Sequence, residues 1–535
     1  MPMRIWKTSL ATTDLGETKK ASLLFSAGGI SVCRAVAKGL ALYKQVLIAS
    51  LFGATRLADS FFVATAIPEM LLGILGINTF RRVATSVFAH LDAKGEQENM
   101  QRLFSSLFNF ILILTGVTAS LAVVFAPAII SILAPGFSLA DREIAAKIAR
   151  IALPVLVFLG LANFVSSVLN AFHRFFVPAL IQVVLNAVMV AFILVFHTRL
   201  GIYAVAWGFL FGHLASLVVQ LPSLRRLRLG ISTVFVPFDP LIRKSLLLAL
   251  PLFVSMFAAQ ISNFSVKFLG SFLSGGKIAA LSYSGFLISA VIVLAAEPFL
   301  IVLMPRFANQ VALGKLDTMR DELAKSVKIF ILLFFPLSVW LVLLSFPIVR
   351  LLFQRGVFTP EATTITSAVL AIFSLRLLPS VLSLLFVRVF LAIQKTVPVM
   401  WVNLFTSTVQ ILLNFILVDS LDVKGLAIAN AAAALLQMLL FWRLVDSSIG
   451  FSRGKQFIPF FGKVILATSL LGMGVRFFLN FAGRISPLGT VTGSVLAVLG
   501  SLLLGLIIYS AASFVLKIKE SREVARSLRS IMGVH

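Results

Sequence analysis

Cysteine occurs once in 535 residues, at Cys33, so neither an intramolecular disulfide nor a multi-cysteine metal site can form. The five histidines, His90, His173, His197, His213 and His535, are scattered with no HExxH-type spacing, which leaves no motif for a catalytic zinc. Acidic residues are scarce, 20 against 46 Lys and Arg. No catalytic triad, phosphate-cradling glycine loop or large polar insertion interrupts the chain, so the expectation is a protein that is not an enzyme and takes no cofactor or metal. Five Trp and four Tyr stand against fifty Phe, a balance suited to lipid and helix contacts more than to an interfacial aromatic belt. The polar N-terminal stretch lacks the apolar core of a cleaved signal peptide, so targeting falls to the first spanning helix.

Apolar sequence is what the chain has in excess. It is 59% hydrophobic and 12% charged, with a mean hydropathy of +1.05, where soluble domains seldom exceed about 50% apolar residues. The composition implies an all-α polytopic membrane protein. Runs long enough to cross a bilayer, about 20 residues each, recur at 22–52, 57–91, 104–134, 143–172, 177–197, 200–222, 242–273, 278–305, 326–353, 361–393, 397–418, 424–446, 459–481 and 488–516. That even number, fourteen by these bounds, puts both termini on one side. The basic clusters RRLR (225–228), GKLDTMRDELAK (314–325) and KIKESREVARSLR (517–529) fall in loops of that same side, and the positive-inside rule makes it the cytoplasm. The net charge of +26 thus reads as topology and contact with anionic lipid, not as a nucleic-acid surface.

The chain also repeats. ILAPGFS (132–138) matches LLFQRGVFT (351–359), and SLFGATRLADSFF (50–62) faintly matches FLSGGKIAALSYS (272–284). Pro178 lies 42 residues after Gly136, as Pro398 does after Gly356, each proline opening a helix where its missing N–H has no partner. The period of about 220 residues implies two six-helix lobes in parallel repeat around a central cavity, a transporter architecture. The expected division is a cytoplasmic tail (1–21), an N-lobe (22–222), a basic linker (223–241), a C-lobe (242–446), two further helices (447–516) and a basic tail (517–535).

Buried cations need a reason, because Arg or Lys at a helix centre costs about 2.5–3.5 kcal/mol on insertion scales. Arg34, Lys38 and Lys44 lie in the first span, Lys267 in the seventh, and Arg376 and Arg388 in the tenth. Converging on a wet cavity they would bind an anionic substrate, for which charge-assisted bonds are the strong kind. Snorkelling of Arg34, Lys44, Arg388 or Arg376 towards headgroups is the competing reading. The carboxylates in the spans are few: Asp59, Glu69 and Glu297. Glu297, beside Pro298, is expected to pair with a cavity cation such as Lys267.

LFGATRLADSFFVATAIPEML, ILAPGFS, LNAFHRFFVPALIQVVLN and LLFQRGVFT, in this order and spacing, resemble the MurJ (MviN) lipid II flippases of the multidrug/oligosaccharidyl-lipid/polysaccharide exporter superfamily. The resemblance implies a flippase turning an undecaprenyl-pyrophosphate-linked saccharide from the inner to the outer leaflet of a bacterial inner membrane, with the last two helices forming a groove for the lipid tail. Cell-wall synthesis enzymes are the protein partners it implies. Asp59 matches the family's acidic, gating position and Arg388 a basic one, while Lys38 and Lys44 stand where arginines are usual. Leu72, Gly73 and Ile77 replace an expected Arg-Arg pair and Glu, and Gly285 and Phe286 replace an Asp-Arg pair. Arg81 and Arg82 are candidate substitutes, or else cytoplasmic anchors. These departures keep other readings open: a flippase for an exopolysaccharide or O-antigen repeat unit, a drug/cation antiporter, or a non-transporting scaffold.

Overall fold

The computed structural model describes residues 17–77, 85, 87–89, 91–92, 94–172, 174–227, 229–230, 232, 240–451, 454–487 and 490–521. Among these, helix accounts for nearly all secondary structure and no strand occurs. The first lobe runs through α1 (Glu17–Phe52), α2 (Arg56–Ile74), α3 (Gln97–Val124), α4 (Ala126–Leu133), α5 (Leu139–Ala152), α6 (Val155–Ala171), α7 (Phe176–Leu200), α8 (Tyr203–Val218) and the short α9 (Leu221–Arg226). The second has α10 (Pro240–Phe272), α11 (Lys277–Val291), α12 (Glu297–Ala312), α13 (Leu316–Leu343), α14 (Ser345–Phe353), α15 (Pro360–Leu375), α16 (Leu377–Ala392), α17 (Val397–Leu421) and α18 (Val423–Ile449). The chain continues into two more helices, α19 (Gly454–Ile485) and α20 (Val491–Val515).

Twelve helices among the described residues are long and apolar enough to cross a membrane, or thirteen with the bent pair α15–α16 counted as one span. α10 lies where the sequence places a further span. The expected fourteen is therefore met closely, the bent pair accounting for one of the two remaining spans and α10, which is not among the twelve, for the other. α15 and α16 diverge by 41° because Pro379 has no N–H to offer the Leu375 carbonyl, and its ring crowds that turn. α11 continues into α12 through a π-helical segment, Ile292–Ala296, immediately before Pro298.

Lipid-type exposure and core burial sort as expected for helices in a bilayer. Leu503, Ile507, Phe477 and Val195 point outward, while Phe334, Phe353, Phe386 and Phe390 are fully buried in the second lobe. α19 and α20 pack on that lobe: the Tyr509 hydroxyl donates to the Leu332 carbonyl at 2.7 Å, and Lys328 pairs with Glu520 at 2.9 Å.

Candidate functional site

The two lobes meet in a seam at one end. There the repeated loops found in the sequence face one another. Val357 N–H donates to the Ser50 carbonyl at 2.8 Å, and Gly136 N–H donates to Ser271 Oγ at 2.9 Å. Ser50 and Ser271 lie in the last turns of α1 and α10, so each lobe's glycine loop seats on the other lobe's helix end. Gly356 takes φ +58°, and a Cβ there would lie 2.2 Å from the Ser50 oxygen. Gly276 takes φ +90°, with the Ala54 oxygen 1.9 Å from where its Cβ would be. Only glycine combines that backbone with that approach.

Asp59 holds the seam. Fully buried, its carboxylate accepts from Gly276 N–H and Ala279 N–H, both at 2.7 Å. Those amides open α11 of the opposite lobe, where unsatisfied N–H groups and the helix dipole favour an anion. Beside it, Arg56 donates to the carbonyls of Leu273 at 2.6 Å and Ser271 at 3.3 Å, and the buried Tyr283 hydroxyl donates to the Gly53 carbonyl at 3.0 Å.

Below the seam lies a central cavity in two chambers. The chamber against the first lobe, about 330 Å³, is lined by Lys44, Gln45, Phe61, Phe62, Thr65 and Glu69, with Gly285, Phe286 and Ser289 across from them. The chamber against the second lobe, about 310 Å³, is lined by Gln260, Asn263, Lys267, Arg376 and Asn430, again with Glu69. Glu69 thus stands on the ridge between the two. Its carboxylate is exposed to the cavity, and the charges acting on it are Lys44 from its own lobe and Lys267 from the other. Lys267 Nζ donates to Ser282 Oγ at 3.4 Å. The Arg376 guanidinium donates to Asn430 Oδ1 and lies 4.6 Å from the centre of the Phe373 ring.

Of the six cations expected at the site, Lys44, Lys267 and Arg376 line these chambers and Arg34, Lys38 and Arg388 do not. Helical phase and depth together explain the first helix: at about 100° per residue Arg34 and Lys38 share a face, whereas Lys44 lies about 120° from Lys38 and about 80° from Arg34. Arg34 is exposed and Lys38 half-buried, roughly 24 and 18 Å from Ser50 along the axis by the helical rise. The expected Glu297–Lys267 pairing is not made. Glu297 lines neither chamber, because the π segment ahead of it adds a residue to the turn and rotates the start of α12, while Lys267 turns to Ser282. Arg81 and Arg82 lie outside the described residues.

The positions where the family resemblance implies an Arg-Arg pair and a Glu are closed. A Cβ on Gly73 would meet Gln260 Cγ at 2.9 Å, and Leu72 and Ile77 are buried in the first lobe's core. Sequence reasoning missed the carboxamides Gln45, Gln260, Asn263 and Asn430, and counted Glu69 only among the few carboxylates in the spans. A carboxylate after a mid-span proline was the available signal.

A family model described as lipid II flippase MurJ matches residues 48–515. A probable lipid II flippase MurJ of Buchnera aphidicola subsp. Schizaphis graminum is 25% identical over 465 residues, covering 86% of this chain and 90% of that protein. Another, from Rhizobium tropici, is 27% identical over 407 residues, covering 73% and 74%. A solved structure described as lipid II flippase MurJ in an inward closed conformation superposes with a TM-score of 0.74 at 22% identity, over 91% of this chain and 99% of that one.

Proposed function

The chain belongs to the lipid II flippase MurJ family, and on that premise we propose that it moves a lipid-linked saccharide across a bacterial inner membrane by alternating access. The observation that carries this reading is the polar central cavity: three cations and four carboxamides facing a space between lobes, with the lobes joined at one end by short loops and helix ends. A headgroup bearing sugars and diphosphate cannot cross hydrocarbon unaided, and such a cavity replaces the water it loses. Lys44, Lys267 and Arg376 hold the headgroup, the latter two at its diphosphate; Asp59 closes the seam and releases it when the lobes rock apart. The division at residues 222 and 242 separates the rocking units, and the helices over 447–516 accept the prenyl tail.

With the basic loops inside, both termini are cytoplasmic, the seam faces outward and the cavity loads from the inner leaflet. The same loops suit anionic lipid headgroups, and cell-wall synthesis enzymes are the natural protein partners. The cation excess disfavours an antiporter for cationic drugs, since Glu69 is the one carboxylate lining the chambers among the described residues.

Lipid II is the substrate we favour. Depleting the protein in its native bacterium should raise inner-leaflet lipid II and cause lysis. Viable cells lacking a surface polysaccharide would instead identify an exopolysaccharide repeat unit, a second reading favoured by Leu72, Gly73 and Ile77 standing where the family's charged groups are expected.

A further inference from the structure

The two chambers differ in the hydrogen bonds they leave unmet, and the difference is directional. In the second-lobe chamber the unmet group is a donor: Arg376 Nε–H is buried with no partner among the described residues. Its neighbour Asn430 already accepts from Arg376 through Oδ1, which leaves the Asn430 amide to act as a donor. With Lys267, this chamber presents donors and positive charge, bordered at the ridge by the Glu69 that it shares with the other chamber. In the first-lobe chamber the unmet group is an acceptor: Gln45 Oε1 is buried with no partner among the same residues. Glu69 adds a carboxylate that makes no hydrogen bond or ion pair within the protein among the described residues, and Lys44 offsets its charge. Around them lie the rings of Phe62 and Phe286.

We propose that the headgroup binds in one orientation, its diphosphate against Lys267 and Arg376 of the second lobe and its first sugar against the first lobe. In that pose Gln45 and Glu69 accept from sugar hydroxyl or acetamido N–H groups, and an apolar pyranose face packs on the rings. Glu69 is the residue that reads the sugar. It accepts its donors, and by like-charge repulsion it excludes a second anionic group from the chamber next to the diphosphate. Buried donors and acceptors left unmatched are costly, so reversing the headgroup would set Glu69 and Gln45 Oε1 against phosphate oxygens. This inference rests on the reading of the cavity as a lipid-diphosphate site.

The test is binding to the purified full chain in nanodiscs, with undecaprenyl diphosphate and undecaprenyl-diphosphate-N-acetylglucosamine as the two probes. Lys267→Gln and Arg376→Gln should weaken both lipids by about tenfold or more, as expected for loss of a charged hydrogen bond. Glu69→Gln should weaken the glycosylated lipid by about tenfold and leave the sugar-free diphosphate unchanged or tighter. Glu69→Asp should recover part of that difference, and matching melting temperatures will establish that the variants fold. If Glu69→Gln tightens or weakens both lipids equally, Glu69 is a counter-charge and the orientation is wrong. If the native chain binds neither lipid, the lipid-diphosphate reading itself falls, and this inference with it.

Discussion

Replacing Asp59 by Asn changes almost no volume and removes the charge that closes the seam. The carboxylate takes two backbone N–H groups from the start of α11, each at 2.7 Å. Asn has one oxygen to accept with, and its NH₂ then faces the other N–H. A hydrogen bond to a charged group contributes about 1.5–3 kcal/mol, and the anion at the helix N-terminus contributes about 0.3–1 more, up to about 2 where partly buried. The substitution converts one of the two bonds to a neutral one, abolishes the other and removes the dipole contribution, so the closed seam loses roughly 4 kcal/mol. That loss is near three decades of equilibrium constant at about 1.4 kcal/mol per decade. A seam closed about a hundredfold over open would become open by roughly tenfold. Spin labels at Leu139 and Leu421, both exposed near the seam on opposite lobes, report this directly once Cys33, the chain's one cysteine, is changed to Ser. The double electron–electron resonance distance should lengthen and broaden in Asp59→Asn. An unchanged distribution would refute the assignment of Asp59 as the group that holds the lobes together.

Three further substitutions probe the same architecture. Gly276→Ala sets a Cβ against the Ala54 oxygen at a positive φ, so it should open the seam as far as Asp59→Asn does, read by the same label pair. Tyr283→Phe removes a single neutral bond to the Gly53 carbonyl and should cost about 1 kcal/mol, visible as roughly a fivefold shift in the closed-to-open ratio. For the cavity, Lys44→Gln should lower lipid flipping in reconstituted vesicles by about tenfold, whereas Arg34→Gln, exposed and outside the chambers, should change it less than about twofold; equal effects would restore the first helix's full row of cations to the site.

Some of this was legible in the residues because its physics is local or periodic. Span-length apolar runs announce helices in a bilayer, and the repeat around Gly136 and Gly356 stands out because backbone geometry in the seam tolerates no other residue at the close approach. Asp59 was readable as an acid needing a partner in an apolar span, although its partners, the amides of Gly276 and Ala279, are 217 and 220 residues away and carry no side-chain signature. The cations were only half legible. Counting charges in spans treats each helix as a regular cylinder whose facing is unknown, and facing is what separates Lys44 from Arg34 and Lys38. The Glu297 expectation failed for the same reason in sharper form, since a π segment and a proline reset the phase around it.

Glu69 shows the deeper limit. Read along the chain it is a costly carboxylate in an apolar span, and nothing nearby in sequence says what it serves. Its meaning comes from the assembled lobes: Lys44 on one side, Lys267 on the other, and open cavity in front. A purely cationic pocket would hold any polyanion, including two phosphates where one diphosphate is wanted. A single acid placed at the ridge limits how far negative charge can extend and gives the adjoining sugar an acceptor. In the proposed orientation, the loss of the charges that the family resemblance implies at Leu72, Gly73 and Ile77 and the presence of Glu69, Lys267 and Arg376 become one change, a diphosphate site carried by the second lobe with a sugar-reading wall on the first.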